Sequence, residues 1–123
     1  WPQLETVMVV HCNHPQELSN LTQQAFNRLR QANIHLLNQA VLLKDVNDAA
    51  GIQIELSKKL FNQGVLPYYL HLLDKVAGAS HHDVGENEAT LLLTHLRHKL
   101  PGYLVPKLVR EQAGMRSKTP VHL

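Results

Sequence analysis

The stretch TVMVVHCNHPQELSNLTQQAFNRLRQANIHLLNQAVLL (residues 6–43) changes its hydrophobic period twice, and that change decides the fold. TVMVVH (6–11) is an apolar run rich in β-branched residues, the pattern of a strand buried on both faces. In the next segment Leu18, Leu21, Ala25 and Leu29 step by three or four, placing one apolar stripe on a helix. Pro15 suits the first turn of that helix, where its missing N–H would have no partner anyway. IHLLNQAVLL (34–43) is again a continuous run. Strand, helix and strand in this span predict parallel strands joined by a right-handed crossover.

Outward from that stretch the pattern repeats. A second helix is expected over 47–63, with Ile52, Leu56 and Leu60 inward and Gly64 as its stop. VLPYYLHLL (65–73) reads as a third strand. A helix over 86–100 carries Ala89, Leu92, Leu93, Leu96 and Leu100 on one side, and Pro101-Gly102 ends it. YLVPKLV (103–109) reads as a fourth strand. The predicted class is α/β, with alternating βα units and parallel strands. A complete (β/α)₈ barrel needs about 250 residues, and this chain has 123. It opens on WPQLET, without an initiator methionine, so the expectation is a partial (β/α) barrel cut from a longer protein.

Composition narrows the function. A hydrophobic content of 44% and the lack of low-complexity tracts indicate a globular chain. A net charge of +2 and 5% aromatic residues speak against nucleic-acid binding. No apolar stretch approaches the roughly 20 residues of a membrane helix, and no signal peptide opens the chain. The single cysteine, Cys12, cannot form an internal disulfide, which predicts a reducing, cytoplasmic setting.

Chemistry in parallel α/β folds collects at the C-terminal ends of strands, and polar residues fall there. His11, Cys12 and His14 follow the first strand and look like half a metal site, yet no second Cys/His pair follows at zinc-finger spacing. His81, His82 and Asp83 offer further ligands or a solvated turn ahead of a helix. Together these histidines define one alternative, a metal-dependent hydrolase; a non-catalytic interaction module is another. Asn38 and Gln39 interrupt an apolar strand and must bond either to backbone at a bulge or to a ligand, because an unpaired buried amide costs roughly 1–3 kcal/mol. His71 and Asp74 follow the third strand, and Glu111 lies seven residues before Lys118. Lys118, in GMRSKTPVHL, is either a solvated tail residue or an amine for covalent chemistry. The latter requires its basicity to be lowered by neighbours such as Lys107, Arg110 and Arg116.

HCNHPQEL, LLNQAVLLKDVND, LPYYLHLLDKVAGASHHDV, GYLVPKLVRE and SKTP, in this order and spacing, resemble the C-terminal part of the lysine 2,3-aminomutase family. The bacterial branch that makes (R)-β-lysine for elongation factor P is the nearest. The resemblance implies an isomerase that uses S-adenosylmethionine, a [4Fe-4S] cluster and pyridoxal phosphate in a radical 1,2-amino shift on lysine. It makes Lys118, ahead of a Thr-Pro, the catalytic lysine that binds pyridoxal phosphate as an imine. Asp74 and Glu111 become the acids that hold the substrate ammonium, although Glu111 stands where another branch has Asp behind a glycine run. His11 and Gln39 fall on the S-adenosylmethionine side, and Asn38-Gln39 then leans towards ligand contact. Residues 1–102 correspond to the last βα units of a radical barrel and 103–123 to the C-terminal strand with the pyridoxal-lysine segment. The family's three cluster cysteines lie in an earlier part of its chain, so this chain alone is expected to be inactive and to ligate no metal. The implied partners are lysine, elongation factor P with its lysyl ligase, and further copies of the same chain in a homo-oligomer.

Overall fold

The computed structural model describes residues 5–73, 84–110 and 119–120, the last two by backbone alone. Four parallel strands stand side by side in chain order: β1 (Thr6–His11), β2 (Ile34–Leu42), β3 (Val65–Leu72) and β4 (Lys107–Arg110). Helices α1 (Asn20–Gln31), α2 (Ala50–Asn62) and α3 (Glu86–Lys99) alternate with them, so the α/β expectation is borne out. A two-residue strand β5 (Thr119–Pro120) pairs antiparallel with β4, an element the apolar runs do not announce.

The register decides which residues meet the helices. Leu36, Ala40 and Leu42 of β2, Val65, Leu70 and Leu72 of β3, and Leu108 of β4 share one sheet face. They join Phe26, Leu56, Leu60, Leu92, Leu93 and Leu96 from the three helices in one core. The opposite face has no helix over it among the described residues, and Val7, Val9 and Leu66 there are 53%, 39% and 39% exposed. Strands in sequential order with helices along one face wind as a segment of a (β/α) barrel does, whereas a doubly wound sheet carries helices on both. The expectation of strands buried on both faces is therefore corrected for Val7, Val9 and Leu66, whereas His71 and Val109, on the same face, are 7% and 3% exposed.

A β-bulge inverts the pattern along β3. Asn38 pairs with Pro67, but Gln39 pairs with Tyr69, so Tyr68 is an extra residue against β2. Pro67 has no N–H for the ladder, which is where a strand containing proline yields to a bulge. Strict alternation from Val65 would place Tyr69 and His71 in the core and Leu70 and Leu72 on the open face. The extra residue reverses that assignment.

Other boundaries shift for local reasons. The first expected helix divides into a 3₁₀ turn (Pro15–Glu17) and α1, because Ser19 and Thr22 form a capping box at the division. Leu21 then lies outside the buried stripe, 76% exposed, and Phe26 takes its place in the core. The fourth strand starts only at Lys107: Gly102–Leu104 form a 3₁₀ turn, and Pro106 supplies no ladder donor. Gly64, at φ +89°, turns the chain from α2 into β3 against the Arg30 side chain. No helix among the described residues is long and apolar enough to cross a membrane.

The outer edge of β1 has no strand beside it among the described residues, and Val7, Met8 and Val9 there expose apolar surface on both faces. Such an edge templates pairing with another chain. Light scattering across a concentration series should therefore show the isolated chain self-associating. A constant monomer mass up to the highest concentration would contradict this.

Candidate functional site

Two sets of polar side chains occupy the C-terminal ends of the strands, one on each face. On the covered face buried amides fasten the backbone. The Cys12 N–H donates to Asn38 Oδ1 at 2.9 Å, and Asn38 Nδ2 donates to the Cys12 carbonyl at 3.0 Å. Asn38 thus extends the β1–β2 ladder by one side-chain rung beyond His11. Of the two roles open to Asn38, backbone bonding is the one the structure shows.

Asn47 closes the same end. Its Nδ2 donates to the carbonyls of Asn13 and Val41, each at 2.8 Å, and its Oδ1 accepts from the Leu43 N–H at 2.8 Å. Asn13 Oδ1 accepts from the Val41 N–H at 2.9 Å, and Gln53 Nε2 donates to the Asn47 carbonyl at 2.8 Å. Asn38, Asn47 and Gln53 are at most 2% exposed. The side chain of Asn47 is committed to the turn after β2, and α2 accordingly begins at Ala50, later than the sequence pattern suggests.

On the open face a polar row crosses all four parallel strands at one level. His11 is the partner of Gln39, Gln39 of Tyr69, and Tyr69 of Lys107. His11 and Lys107 are exposed, while Gln39 and Tyr69 are half-buried. One step further along β3, His71 is 7% exposed and its Nε2 lies 3.1 Å from Gln39 Oε1. Since Oε1 only accepts, Nε2 carries the hydrogen and donates. The His71 ring also meets Tyr69 edge-on, centroids 5.9 Å apart, and Lys107 Nζ sits 5.1 Å from the Tyr68 ring centroid.

The sequence-predicted residues divide accordingly. His11 and Gln39 are brought together as cross-strand neighbours on the open face. Asp74, Glu111, Lys118, His81, His82, Asp83 and Arg116 lie outside the described residues. Arg110 is not on the open face: register places it with Leu108 on the helix side, and it pairs there with Glu86. Of the cations considered for tuning Lys118, Lys107 is the described one that shares the open face with Gln39. Tyr69 and His71 join the site through the bulge, and Pro67 is the sequence signal for it.

The histidines near β1 have local tasks. His14 Nδ1 accepts from the Gln16 N–H at 3.1 Å and caps the 3₁₀ turn. Among the described residues no group of three His, Cys, Asp or Glu side chains is placed to hold a metal. Cys12 is 5% exposed, and its Sγ–H donates to the His14 carbonyl at 3.4 Å. Burial first, and then the Glu17 carboxylate, push its thiol up to about 11. Such a thiol stays protonated at neutral pH and is not poised as a ligand.

A groove of about 750 Å³ lies at the opposite end, between Glu5, Arg30, Asn33, His35, Gly64 and Leu66. It adjoins the N-terminal ends of the strands. In parallel α/β folds that end serves stability, and the C-terminal end carries the chemistry. The row through Gln39 is therefore the better candidate site.

A parallel sheet with its described helices along one face, and a polar row near the C-terminal ends of its strands, has the layout of an α/β enzyme segment. No protein-family model matches the chain. Its similarity to individual proteins is extensive: the L-lysine 2,3-aminomutase of Haemophilus influenzae is 54% identical over 117 residues, 95% of this chain and 35% of its own length. The L-lysine 2,3-aminomutase of Escherichia coli is 49% identical over 98% of this chain and 35% of its own length. That of Clostridium subterminale is 36% identical over 90% of this chain and 27% of its own length. The resemblance read in the sequence is borne out, and the relatives are by name aminomutases, a kind of isomerase. The chain spans about 35% of the length of the first two.

Asn47→Ala strands one backbone donor and two acceptors, and urea denaturation should show a loss of about 3 kcal/mol. Cys12 should resist iodoacetamide at neutral pH in the folded chain and react at the rate of a free thiol only in denaturant. The raised thiol value has a definite sign. It contributes stability that is present below pH 9.0, the unfolded value, and lost as pH rises through about 11. Cys12→Ser should flatten that alkaline slope in denaturation measured across this range.

Proposed function

We propose that the chain is the C-terminal part of an L-lysine 2,3-aminomutase, which as a complete protein converts lysine to (R)-β-lysine by a radical 1,2-amino shift. The observation that carries this reading is identity of 45–54% to proteins of that name over 95–98% of this chain. The polar row on the open sheet face supports it. The product would serve modification of elongation factor P in the cytoplasm, delivered through its lysyl ligase, and the complete enzyme would be a homo-oligomer.

The cofactors fit this chain unequally. His11 and Gln39 suit S-adenosylmethionine, a ligand rich in hydrogen-bonding groups, because both stand at the level of the polar row on the open face. A [4Fe-4S] cluster does not fit: its ligands are thiolates, and the one cysteine here is buried and protonated. Cluster ligands would come from outside this chain, and the chain alone would be inactive. S-adenosylmethionine and pyridoxal phosphate, when bound, supply radical initiation and electron delocalisation. Lys118 would anchor pyridoxal phosphate, His11 and Gln39 would orient the S-adenosylmethionine side, and Asp74 with Glu111 would hold the substrate ammonium by charge-assisted hydrogen bonds. The sheet face itself would help to keep water from the reacting centre.

In the complete protein, Lys118→Ala should abolish β-lysine formation, a loss of about a thousandfold or more, and should release pyridoxal phosphate on gel filtration. Full activity in that variant would sink the aminomutase reading in favour of a non-catalytic module. Asp74→Asn should raise KM for lysine roughly tenfold to a hundredfold with a smaller change in kcat, because it removes one charge from ammonium binding.

A further inference from the structure

We infer that His71 is a positioning residue for Gln39: its Nε2–H holds the carboxamide oxygen, so the carboxamide presents its NH₂ group to the open face, and the ligand atom met there is a hydrogen-bond acceptor. This rests on the reading that Gln39 contacts S-adenosylmethionine.

The argument begins with the amide. A glutamine side chain has an acceptor and a donor end of nearly equal shape, and its terminal torsion is soft. Facing a ligand without a fixed neighbour, Gln39 would offer either end. The 3.1 Å contact from His71 Nε2 to Oε1 selects one of them. Covalent geometry then turns the NH₂ group away from the ring. The ring is itself held: it is 7% exposed, it meets Tyr69 edge-on, and its cross-strand partner Val109 is 3% exposed. Rigid support of this kind sets the geometry of a contacting group.

The competing explanation is a buried histidine that only satisfies its own polar atoms. Two observations weigh against it. His71 stands on the sheet face that no described helix covers rather than in the apolar core, and its position there depends on the bulge at Tyr68. The bulge disrupts the ladder locally and brings His71 to the face that carries Gln39.

The test is a binding double-mutant cycle in the complete, cluster-bearing protein, read as the Kd for S-adenosylmethionine by equilibrium dialysis. Gln39→Leu and His71→Asn should each weaken binding about tenfold, the worth of one oriented hydrogen bond, and the double variant should bind no more weakly than either single one. His71→Gln should stay within about threefold of the unaltered protein, because its NH₂ reaches the place of Nε2 while that of asparagine reaches only the place of Nδ1. Unaltered binding in His71→Asn beside weakened binding in Gln39→Leu would overturn the positioning role and leave the Gln39 contact standing. Additive losses would overturn it equally. Unaltered binding in Gln39→Leu would remove Gln39 from the cofactor and overturn both. If melting curves show that His71→Asn does not fold, a tenfold loss in a folded His71→Gln overturns the proposal.

Discussion

The arrangement of this sheet depends on the extra residue between Pro67 and Tyr69. A strand segregates its side chains by strict alternation, so a single insertion exchanges the two faces for everything that follows. Before the bulge β3 sends Val65 to the helices, and after it Leu70 and Leu72. Each is at most 4% exposed. Without the exchange, two leucines would lose their burial against α2 and α3, and a histidine and a tyrosine would enter an apolar layer. Burial of a leucine is worth about 1.5–3 kcal/mol, so packing alone selects the bulged register. The polar face around Gln39 is the other product of the same choice.

That face would have little definition if the strand ends were loose. Asn38, Asn13, Asn47 and Gln53 hold the chain where β1 and β2 end, through bonds of 2.8–3.0 Å that are directed almost wholly at backbone. Carboxamides suit this task because each supplies donor and acceptor together and carries no charge to desolvate. The division of labour within Asn38-Gln39 follows from the pleat. Adjacent residues point to opposite faces, so one amide braces the backbone and its neighbour faces outward.

Much of this was legible in the residues, and the misses have identifiable causes. β1 spans Thr6–His11 as the apolar run indicates, and α3 buries Ala89, Leu92, Leu93 and Leu96 as their spacing requires. The α3 signal survives because burial against a single core enforces it, whereas β1 forms its ladder to β2 with most of its residues exposed. The exposure of β1 was not legible: Val7 and Val9 look the same whether a second layer covers them or not. Nor were the strand partners of Gln39, since VLPYYLHLL reads as uninterrupted unless Pro67 is given its full weight as a missing donor. Arg110 illustrates the parity problem at the level of charge. Closeness in sequence to Lys118 says nothing of the face it takes, and one step of alternation pairs it with Glu86 on the helix side. For Asp74, Glu111 and Lys118 the family resemblance alone gives roles, as they lie outside the described residues.

The burial of Cys12 bears on how the chain meets oxidants and metal ions. Both act on an ionised sulfur within reach. A thiol packed in the apolar core and kept in its neutral form offers neither condition. It is equally withdrawn from disulfide exchange with other thiols. The chain thus carries this sulfur as bulk, much as it would carry a methyl group, rather than as a reactive centre.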